Sequence, residues 1–273
     1  MMNSNVQENN LKHNRGFLYG DAVFETLKIV NGKILFLEDH YFRLMASMRI
    51  LRMEIPMDFT MEFFEEQVLT SVTASGCNAS ARARITVYRN GGGFYLPTTN
   101  TISFLIHTTP LDNQAYVWES TSCEVDLYKD FYISKQLLST LKTTNKVLHV
   151  TASIYADEND LDNCILLNES KNVVEVLQGN IFMVQGNQLI TPPISEGCCN
   201  GILRKQLLVL AKKIDGLEII EAVISPFDLQ KADELFYTNV IKGIQSISKY
   251  RKKEFANKLA NQLVDKLNEF IAV

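Results

Sequence analysis

Three ionisable side chains and one glycine are of types that could handle carbonyl and phosphate compounds. Lys142 lies in Leu-Lys-Thr-Thr-Asn, Glu175 in Val-Glu-Val, and Arg43 in His-Tyr-Phe-Arg. A lysine amine can form a Schiff base, and the forked guanidinium of an arginine suits phosphate oxygens. Gly201 precedes a predicted helix, whose first N–H groups attract anions. Taken singly, each residue is more often an ordinary solvated one, so only their combination carries weight.

Familiar catalytic and metal-binding motifs are missing from the sequence. It contains no P-loop, no GxGxxG after a predicted strand, no HExxH, no GxSxG and no CxxC. The four histidines are scattered, which argues against a catalytic triad or a multi-histidine metal site. We therefore expect no metal ion, and surface or capping roles for all four histidines: His13, His40, His107 and His149.

The composition is that of a folded protein with a small-molecule partner. The 273 residues are 46% hydrophobic and 21% charged with a net charge of −4, which favours neither disorder nor binding to nucleic acid or an anionic membrane. Five cysteines without paired spacing favour a reducing cytoplasm. The polar N-terminus has no apolar signal core and no run of about 18 apolar residues occurs, so we expect neither export nor a membrane span.

The first half of the chain predicts a small α+β domain, which we place at residues 1–115. Two β-rich runs around Asn31-Gly32 predict a hairpin. Apolar spacing predicts a helix over residues 38–51 and another that starts after Asp58 as N-cap and ends near Gly76. Strands are predicted over residues 82–88 and 101–107, the second of them buried.

Residues 116–273 predict a larger domain that carries Lys142. Strands and helices mix there without strict alternation, so the fold class is α+β, or irregular α/β, in two domains. The predicted strands cover residues 121–126, 164–167, 173–176, 180–184, 188–190, 217–223 and 236–239. The predicted helices cover residues 144–157, 201–213, a short stretch capped by Ser225, and 252–271.

Six segments occur in an order that carries a resemblance. Together they resemble the class IV aminotransferases, the fold-type-IV family of enzymes that use pyridoxal 5′-phosphate (PLP). That family includes branched-chain and D-amino-acid transaminases and aminodeoxychorismate lyase. The segments are Arg15–Asp21 with Val23–Thr26, His40-x-x-Arg43-Leu44, Leu141-Lys142-x-x-Asn145, Val174-Glu175 with Asn180-Ile-Phe182, Thr191-Pro-Pro193 with Gly201–Arg204, and Ala232-Asp-Glu234.

The resemblance implies a cofactor site and an assembly. Lys142 matches the lysine that forms the aldimine with PLP and later moves a proton at the substrate α-carbon. Glu175 matches the carboxylate that faces the pyridine nitrogen. Arg43 and the backbone amides of Ile202 and Leu203 match the groups that bind the phosphate. Since family members pair as homodimers, a homodimer is expected.

Two further residues match the substrate side of the family. Tyr19 and Arg84 resemble positions that, in several transaminases, hold a carboxylate. Strand alternation places residues 82, 84, 86 and 88 on one face and Arg89 on the other. Arg82 and Arg89 remain alternatives to Arg84.

The leading functional prediction is a PLP-dependent aminotransferase. It would move an amino group between an amino acid, branched-chain-like or D-amino-acid-like, and a 2-oxo acid. The alternative is aminodeoxychorismate lyase, which releases pyruvate and 4-aminobenzoate. A non-catalytic PLP-binding relative is the alternative from another class, and the presence of Lys142 and Glu175 disfavours it.

Three departures from the family pattern bear on this choice. Lys146 follows Asn145 where branched-chain transaminases carry a tyrosine just after the lysine segment. Val240-Ile241 stands where many transaminases keep a threonine, so a hydroxyl donor is missing. The polar N-terminus lacks the strand that usually opens the small domain. The first two departures are nearer to the lyase.

Overall fold

The computed structural model describes residues 11–77, 79–118 and 122–272, and they form two compact units. The first unit holds the described residues up to Gln114 together with Lys142–Asn145. The second unit holds the described residues of Ala115–Leu141 and those from Lys146 onward. The expectation of a missing first strand concerns residues 1–10, which lie outside the described residues.

The first unit is a four-stranded antiparallel sheet in the order β2-β1-β3-β4. The central strands β1 and β3 pair along their whole length, from Ala22 opposite Tyr88 to Val30 opposite Ser80. The elements are α1 (Arg15–Tyr19), β1 (Ala22–Val30), β2 (Lys33–Ile34), α2 (Leu37–Ile50), α3 (Met61–Ala74), β3 (Ser80–Arg89) and β4 (Ile102–Pro110).

Strand alternation gives this sheet two different faces. One face packs against the helices α2 and α3, where Leu27 and Ile85 meet Leu44, Met48 and Phe64 in a fully buried core. The other we call the reverse face. By strand register it carries Phe24, Thr26 and Lys28 of β1, Arg82, Arg84, Thr86 and Tyr88 of β3, and Ser103, Leu105, His107 and Thr109 of β4.

The predicted hairpin is confirmed, and two details of the first unit differ from expectation. Both turn residues, Asn31 and Gly32, have positive φ, as a type I′ turn requires. The N-cap of α3 is Thr60 rather than Asp58, since the Thr60 hydroxyl accepts the Phe63 N–H at 3.2 Å. The expectation of a buried strand over residues 101–107 was wrong, because β4 is an edge strand that packs on the core through one face only.

The second unit contains two five-stranded sheets, in the orders β10-β9-β8-β11-β12 and β14-β13-β5-β6-β7. Ile165 of one sheet and Ile181 and Leu235 of the other lie in a shared apolar core. The elements are β5 (Glu124–Leu127), α4 (Val147–Glu158), β6 (Asn163–Leu167), β7 (Val173–Val176), β8 (Asn180–Gln185), β9 (Gln188–Thr191), α5 (Ile202–Ala211), β10 (Glu218–Glu221), β11 (Glu234–Asn239), β12 (Gly243–Ile247), β13 (Lys249–Tyr250), β14 (Lys253–Glu254) and α6 (Lys258–Ile271).

The main departures in the second unit lie toward its C-terminal end. Helix α6 begins later than predicted because residues 243–254 form the short strands β12, β13 and β14. The carboxylate of Glu234 accepts the first N–H groups of α6, from Leu259 at 2.9 Å and Ala260 at 3.1 Å. The short helix expected after Ser225 is a single 3₁₀ turn over Asp228–Lys231.

At the start of the second unit, the strand expected from residue 121 begins at Glu124, and Thr121 lies outside the described residues. No described helix of either unit is long and apolar enough to span a bilayer.

The placement of Lys142 in the second domain is corrected by the structure. Residues 142–145 run beside β1, where the Phe24 N–H donates to the Lys142 carbonyl at 2.8 Å and the Thr144 N–H donates to the Ala22 carbonyl at 3.0 Å. These tertiary hydrogen bonds group the segment with the first unit although its chain neighbours belong to the second.

Replacing Phe64 by alanine should lower the free energy of unfolding by about 3–5 kcal/mol, because the removed ring leaves a cavity in a fully buried core. Phe42→Ala is the control: its ring is 61% exposed, and its loss should cost less than about 0.5 kcal/mol. Urea unfolding of both variants measures the difference. Equal losses would contradict the core described for the first unit.

Candidate active site

A buried carboxylate on β1 holds two side chains of α2. Glu25 is 1% exposed. Its Oε1 accepts Nε of Arg43 at 2.7 Å and its Oε2 accepts Nη2 at 2.6 Å, which is a bidentate pair. Nδ1 of His40 lies 2.7 Å from the same Oε2. His40 and Arg43 are three positions apart and so lie on one face of α2, where both can reach Glu25. The bidentate pair with Glu25 sets the orientation of the Arg43 guanidinium.

Burial and the neighbouring charges shift the pKa values of Glu25 and His40. Burial alone would raise the pKa of Glu25, but the Arg43 charge and hydrogen bonds from His40 and Arg43 outweigh it and lower the pKa to about 2. Burial lowers the pKa of His40; its bond to Glu25 opposes this, and the charges of Arg43 and Lys142 add to the lowering. His40 is therefore neutral near pH 7 and donates through Nδ1. The expected surface or capping role for His40 was wrong.

Lys142 lies against an aromatic ring of β1. Its Nζ is 4.4 Å from the centre of the Phe24 ring, and the guanidinium carbon of Arg84 is 3.7 Å from the centre of the same ring. Asn145 anchors the lysine segment by donating from Nδ2 to the Gly20 carbonyl at 3.2 Å. Gly20 has φ +64°, and a Cβ there would overlap Asn145. The Lys-x-x-Asn spacing thus has a structural reason.

Two of the other candidate substrate residues, Tyr19 and Arg89, lie away from the Phe24 ring. Tyr19 contacts the loop after β3: its hydroxyl is 3.5 Å from the Gly93 carbonyl, and its ring lies 6.0 Å from that of Tyr95. Arg89 donates to Asp21 and to two backbone carbonyls on the helix side. Arg82 and Arg84 are the arginines of β3 that share a face with Phe24.

In the second unit, Glu175 and Asn180 hold the turn that leads into α5. Glu175 is 5% exposed, and its Oε2 accepts the Cys199 N–H at 2.9 Å while its Oε1 lies 3.1 Å from Nε2 of His149. Asn180 donates from Nδ2 to the Cys199 carbonyl at 2.8 Å. Both the N–H and the C=O of Cys199 are therefore hydrogen-bonded to side chains. The expected surface or capping role for His149 missed this contact.

The start of α5 is suited to an anion. Its N-cap is Gly201, no side chain caps the helix, and Ile202 and Leu203 stand in its first turn. The free N–H groups of a first turn and the positive end of the helix dipole attract phosphate. A Cβ at Gly201 would overlap Oδ1 of Asn180, so the approach of Asn180 requires glycine there.

One polar group near this turn was missed by sequence reasoning. Thr238 lies directly opposite Asn180 in the pairing of β11 with β8. Its hydroxyl is buried and has no hydrogen-bond partner among the described residues. The pairing of β8 with β11 is a tertiary feature, so the sequence alone offered only the motif around Asn180 as a signal.

The residues present fit PLP. A carboxylate has about four acceptor positions, so Glu175, with two in use, can still accept a protonated ring nitrogen. In the second unit, the first turn of α5 suits a phosphate. In the first unit, the guanidinium of Arg43 is of a type that binds phosphate oxygens. Lys142 supplies a primary amine. Among residues 11–77, 79–118 and 122–272, no group of three His, Cys, Asp or Glu side chains is placed to hold a metal ion.

Glu25→Gln should cost about 3–5 kcal/mol of unfolding free energy at pH 7, because it removes the buried carboxylate charge that pairs with the largely buried guanidinium of Arg43. The pH dependence follows from the lowered pKa. Because folding lowers the pKa of this carboxyl, its charge stabilises the fold above the ordinary carboxyl pKa of 4.5, and that stability is lost as pH falls toward 2.

Urea unfolding across this pH range should show a steeper loss for the unmodified protein than for Glu25→Gln. Glu38→Gln makes the same change at an exposed position of α2 and serves as the control. Parallel pH profiles for Glu25→Gln and the unmodified protein would refute the role given to Glu25.

Comparison with known proteins places the chain in a family. The family model described as "Amino-transferase class IV" matches residues 22–250. A Methanocaldococcus jannaschii protein assigned as a branched-chain-amino-acid aminotransferase is 31% identical, over 93% of this chain and 87% of its own length. The aminodeoxychorismate lyase of Vibrio harveyi is 24% identical, over 86% of this chain and 84% of its own length.

A solved structure agrees with the fold. The branched-chain amino acid aminotransferase of Thermobaculum terrenum, in its PLP-form, matches with a TM-score of 0.82 and 26% identity, over 93% of this chain and 86% of that chain. Class IV aminotransferases depend on PLP. The predicted mixed α and β fold of type IV is confirmed. The chain belongs to the class IV aminotransferases, a family of PLP-dependent enzymes.

Proposed function

We propose that this protein moves an amino group between an amino acid and a 2-oxo acid, with PLP attached to Lys142. The observation that carries this proposal is the placement of Lys142: its segment is tied to β1, and its amine lies against the Phe24 ring beside Arg84. When bound, PLP supplies an aldehyde that reacts with amines and a ring that draws electrons from the substrate α-carbon.

Lys142 has two tasks in this proposal. Its amine holds PLP between turnovers, and after a substrate amine displaces it, it takes a proton from the substrate α-carbon and returns one. Phe24 limits the positions of Nζ because the ring lies beside it. Hydrogen bonds to β1 hold the backbone of the same segment, so the amine works from a fixed base.

Two other groups bind the cofactor in the proposal. The carboxylate of Glu175, oriented by His149 and the Cys199 N–H, accepts the protonated ring nitrogen. Arg43 and the first-turn amides of Ile202 and Leu203 bind the phosphate, and Glu25 orients Arg43.

Substrate and compartment are also inferred. Tyr19 and Arg84 stand on the substrate side, for an amino acid that is branched-chain-like or D-amino-acid-like. All five cysteines are free thiols, which supports a reducing cytoplasm.

A homodimer is the inferred assembly. Exposed apolar side chains on one helix support it, namely Val147, Val150 and Ile154 of α4.

Aminodeoxychorismate lyase is the second candidate, favoured by the turn after β11. There Oδ1 of Asn239 accepts the N–H groups of Ile241 and Lys242 at 3.0 and 2.8 Å. Val240 lies between the end of β11 and Ile241. It offers no hydroxyl at the place where many transaminases carry threonine. Lys146, in place of a tyrosine, favours the same candidate.

Lys142→Ala should abolish the covalent link to PLP. Borohydride treatment of the PLP-loaded protein followed by mass spectrometry should show a modified Lys142 in the unmodified chain and no modified lysine in the variant. Lys33→Ala, at an exposed position of the first unit, should retain the link. A borohydride-stable adduct that persists in Lys142→Ala would refute the assignment.

Absorption spectra of the PLP-loaded protein with L- and D-amino acids separate the two candidate functions. A transaminase should lose its yellow colour with at least one amino acid and regain it with a 2-oxo acid. A lyase should release pyruvate from aminodeoxychorismate, with no such cycle. A spectrum that no amino acid changes would rule out transamination.

A further inference from the structure

An open cleft of about 260 Å³ lies in the second unit. Its lining includes Pro226 together with Leu127 and Leu167, two buried residues of the apolar core that the sheets share. Tyr132 and Phe227 add aromatic rings, and Phe227 is 75% exposed. A mostly apolar lining with a few polar groups is typical of small-molecule sites, whose volumes begin at roughly 300 Å³. A cleft of this size suits a small ligand.

The cleft and Glu175 lie on opposite faces of one sheet. Glu175 is paired with Leu166 across β6 and β7, so their side chains point to the same face. Leu167 is the next residue on β6 and points to the other face, where it joins the core with Leu127. The cleft is therefore separate from the carboxylate that we propose as the partner of the PLP ring nitrogen.

The cleft is positively charged. Among the described residues that line it, none is acidic and three are basic, namely Lys129, Lys171 and Arg251. Lys129 makes no hydrogen bond or ion pair with any described residue. Arg251 has one acidic contact, from Nε to Oδ1 of Asp126 at 3.4 Å, and both side chains are more than a third exposed. Because water screens such a pair, the positive charge around the cleft is largely uncompensated.

Lys171 and Tyr132 offer two hydrogen-bond donors side by side. The Lys171 ammonium donates from Nζ to the Tyr132 hydroxyl at 2.6 Å. A hydroxyl that accepts this bond still has its own proton to donate, and no described residue accepts it. The ammonium likewise keeps two N–H groups without an acceptor among the described residues. A carboxylate has two oxygens and can accept one bond from each side chain.

The backbone holds Lys171 in a strained position. Its φ is +65°, in the left-handed region that side chains other than those of asparagine and aspartate rarely adopt. The buried Asn168 imposes this turn, because its Oδ1 accepts the N–H groups of Ser170 and Asn172, both at 3.1 Å. The Lys171 N–H also donates to the Asn168 carbonyl at 2.8 Å. Strained residues concentrate at binding sites, where the surrounding contacts hold them in place.

We propose that this cleft binds a small aromatic carboxylate, with the ring against the apolar lining and the carboxylate held by Lys171 and Tyr132. Lys129 and Arg251 add positive charge around the ligand. A simple anion would leave the apolar lining in water, and a neutral ring would leave both donors without an acceptor. The proposal goes beyond the proposed function and does not depend on the role of Lys142.

NMR of the PLP-loaded protein, labelled at its leucine methyl groups, tests this site with benzoate as the probe. The methyl signals of Leu127 and Leu167 should shift and saturate, and those of Leu203 at the start of α5 should not. Benzyl alcohol has the ring without the charge and should bind at least about tenfold more weakly, the size expected for a charge-assisted hydrogen bond. Acetate has the charge without the ring and should cause no saturable shift at the same concentrations.

Variants of the two donors test how the carboxylate is held. Lys171→Met should weaken benzoate about tenfold and change benzyl alcohol less than about twofold. Lys171→Asn should show the same loss, although asparagine tolerates the left-handed backbone and so preserves the turn. Tyr132→Phe keeps the ring and should weaken benzoate about threefold to tenfold. Lys212→Met, the control, removes a charge from an exposed position of the same unit outside the cleft and should change neither affinity.

Four results would each overturn the proposal. Benzoate shifts at Leu203 without shifts at Leu127 and Leu167 would place the ligand elsewhere. Equal binding of benzoate and benzyl alcohol, or of benzoate and acetate, would remove the need for a charged ring compound. A loss in Lys171→Met that Lys171→Asn does not share would assign the effect to the turn. The same loss in Lys212→Met would assign it to net charge.

Discussion

The pairing of one buried carboxylate with one arginine determines how the first unit can be built. A charge without access to water is tolerated only when it is paired and hydrogen-bonded, so Glu25 and Arg43 hold β1 and α2 at a fixed distance. Glu25 stands between Phe24 and Thr26, which point to the other side of the sheet. A shift of β1 by one residue would bury the wrong side chains and expose the charge. The helix layer and the reverse face are therefore set by the same interaction.

In the second unit, hydrogen bonds from side chains to backbone peptide groups, rather than an ion pair, fix the local structure. Glu175 accepts a hydrogen bond from the Cys199 N–H, and Asn180 donates one to the Cys199 carbonyl. The close approach of Asn180 leaves no room for a side chain at position 201, where the chain has glycine. The turn before α5 is thus defined on both sides, and the first amides of the helix point in one direction. The phosphate that we propose for this turn would meet donors that need no rearrangement, which lowers the cost of binding.

Much of this could be read from the sequence because the signals were local. The Asn-Gly hairpin and the apolar spacing of α2 depend on neighbours in the chain, and both were predicted correctly. The order of motifs identified the family through Lys142, Glu175 and Arg43, whose roles stay predictions. The choice between Asp58 and Thr60 as N-cap was beyond local rules, since both residue types cap helices. A polar residue on a helix is usually solvated, so nothing local marked His40 as buried.

Hydrogen bonding between distant segments explains the larger differences between the predicted and the observed strands. Strands of two residues such as β13 and β14 have no pattern of their own and exist only because partners lie beside them. The edge position of β4 determines its exposure. The order of strands in a sheet depends on distant parts of the chain, so the sequence of β4 alone could not predict it.

The grouping of Lys142–Asn145 with the first unit has a consequence for how this chain can be divided. The polypeptide passes from one unit to the other after Gln114, after Leu141 and again after Asn145. A fragment that stops at Gln114 would lack the carbonyl that receives the Phe24 N–H, and the remaining piece would carry the lysine without the strand that holds it. Neither half can be transplanted into another protein with this amine in place. An exchange that keeps this amine in place must therefore carry β1 and residues 142–145 together.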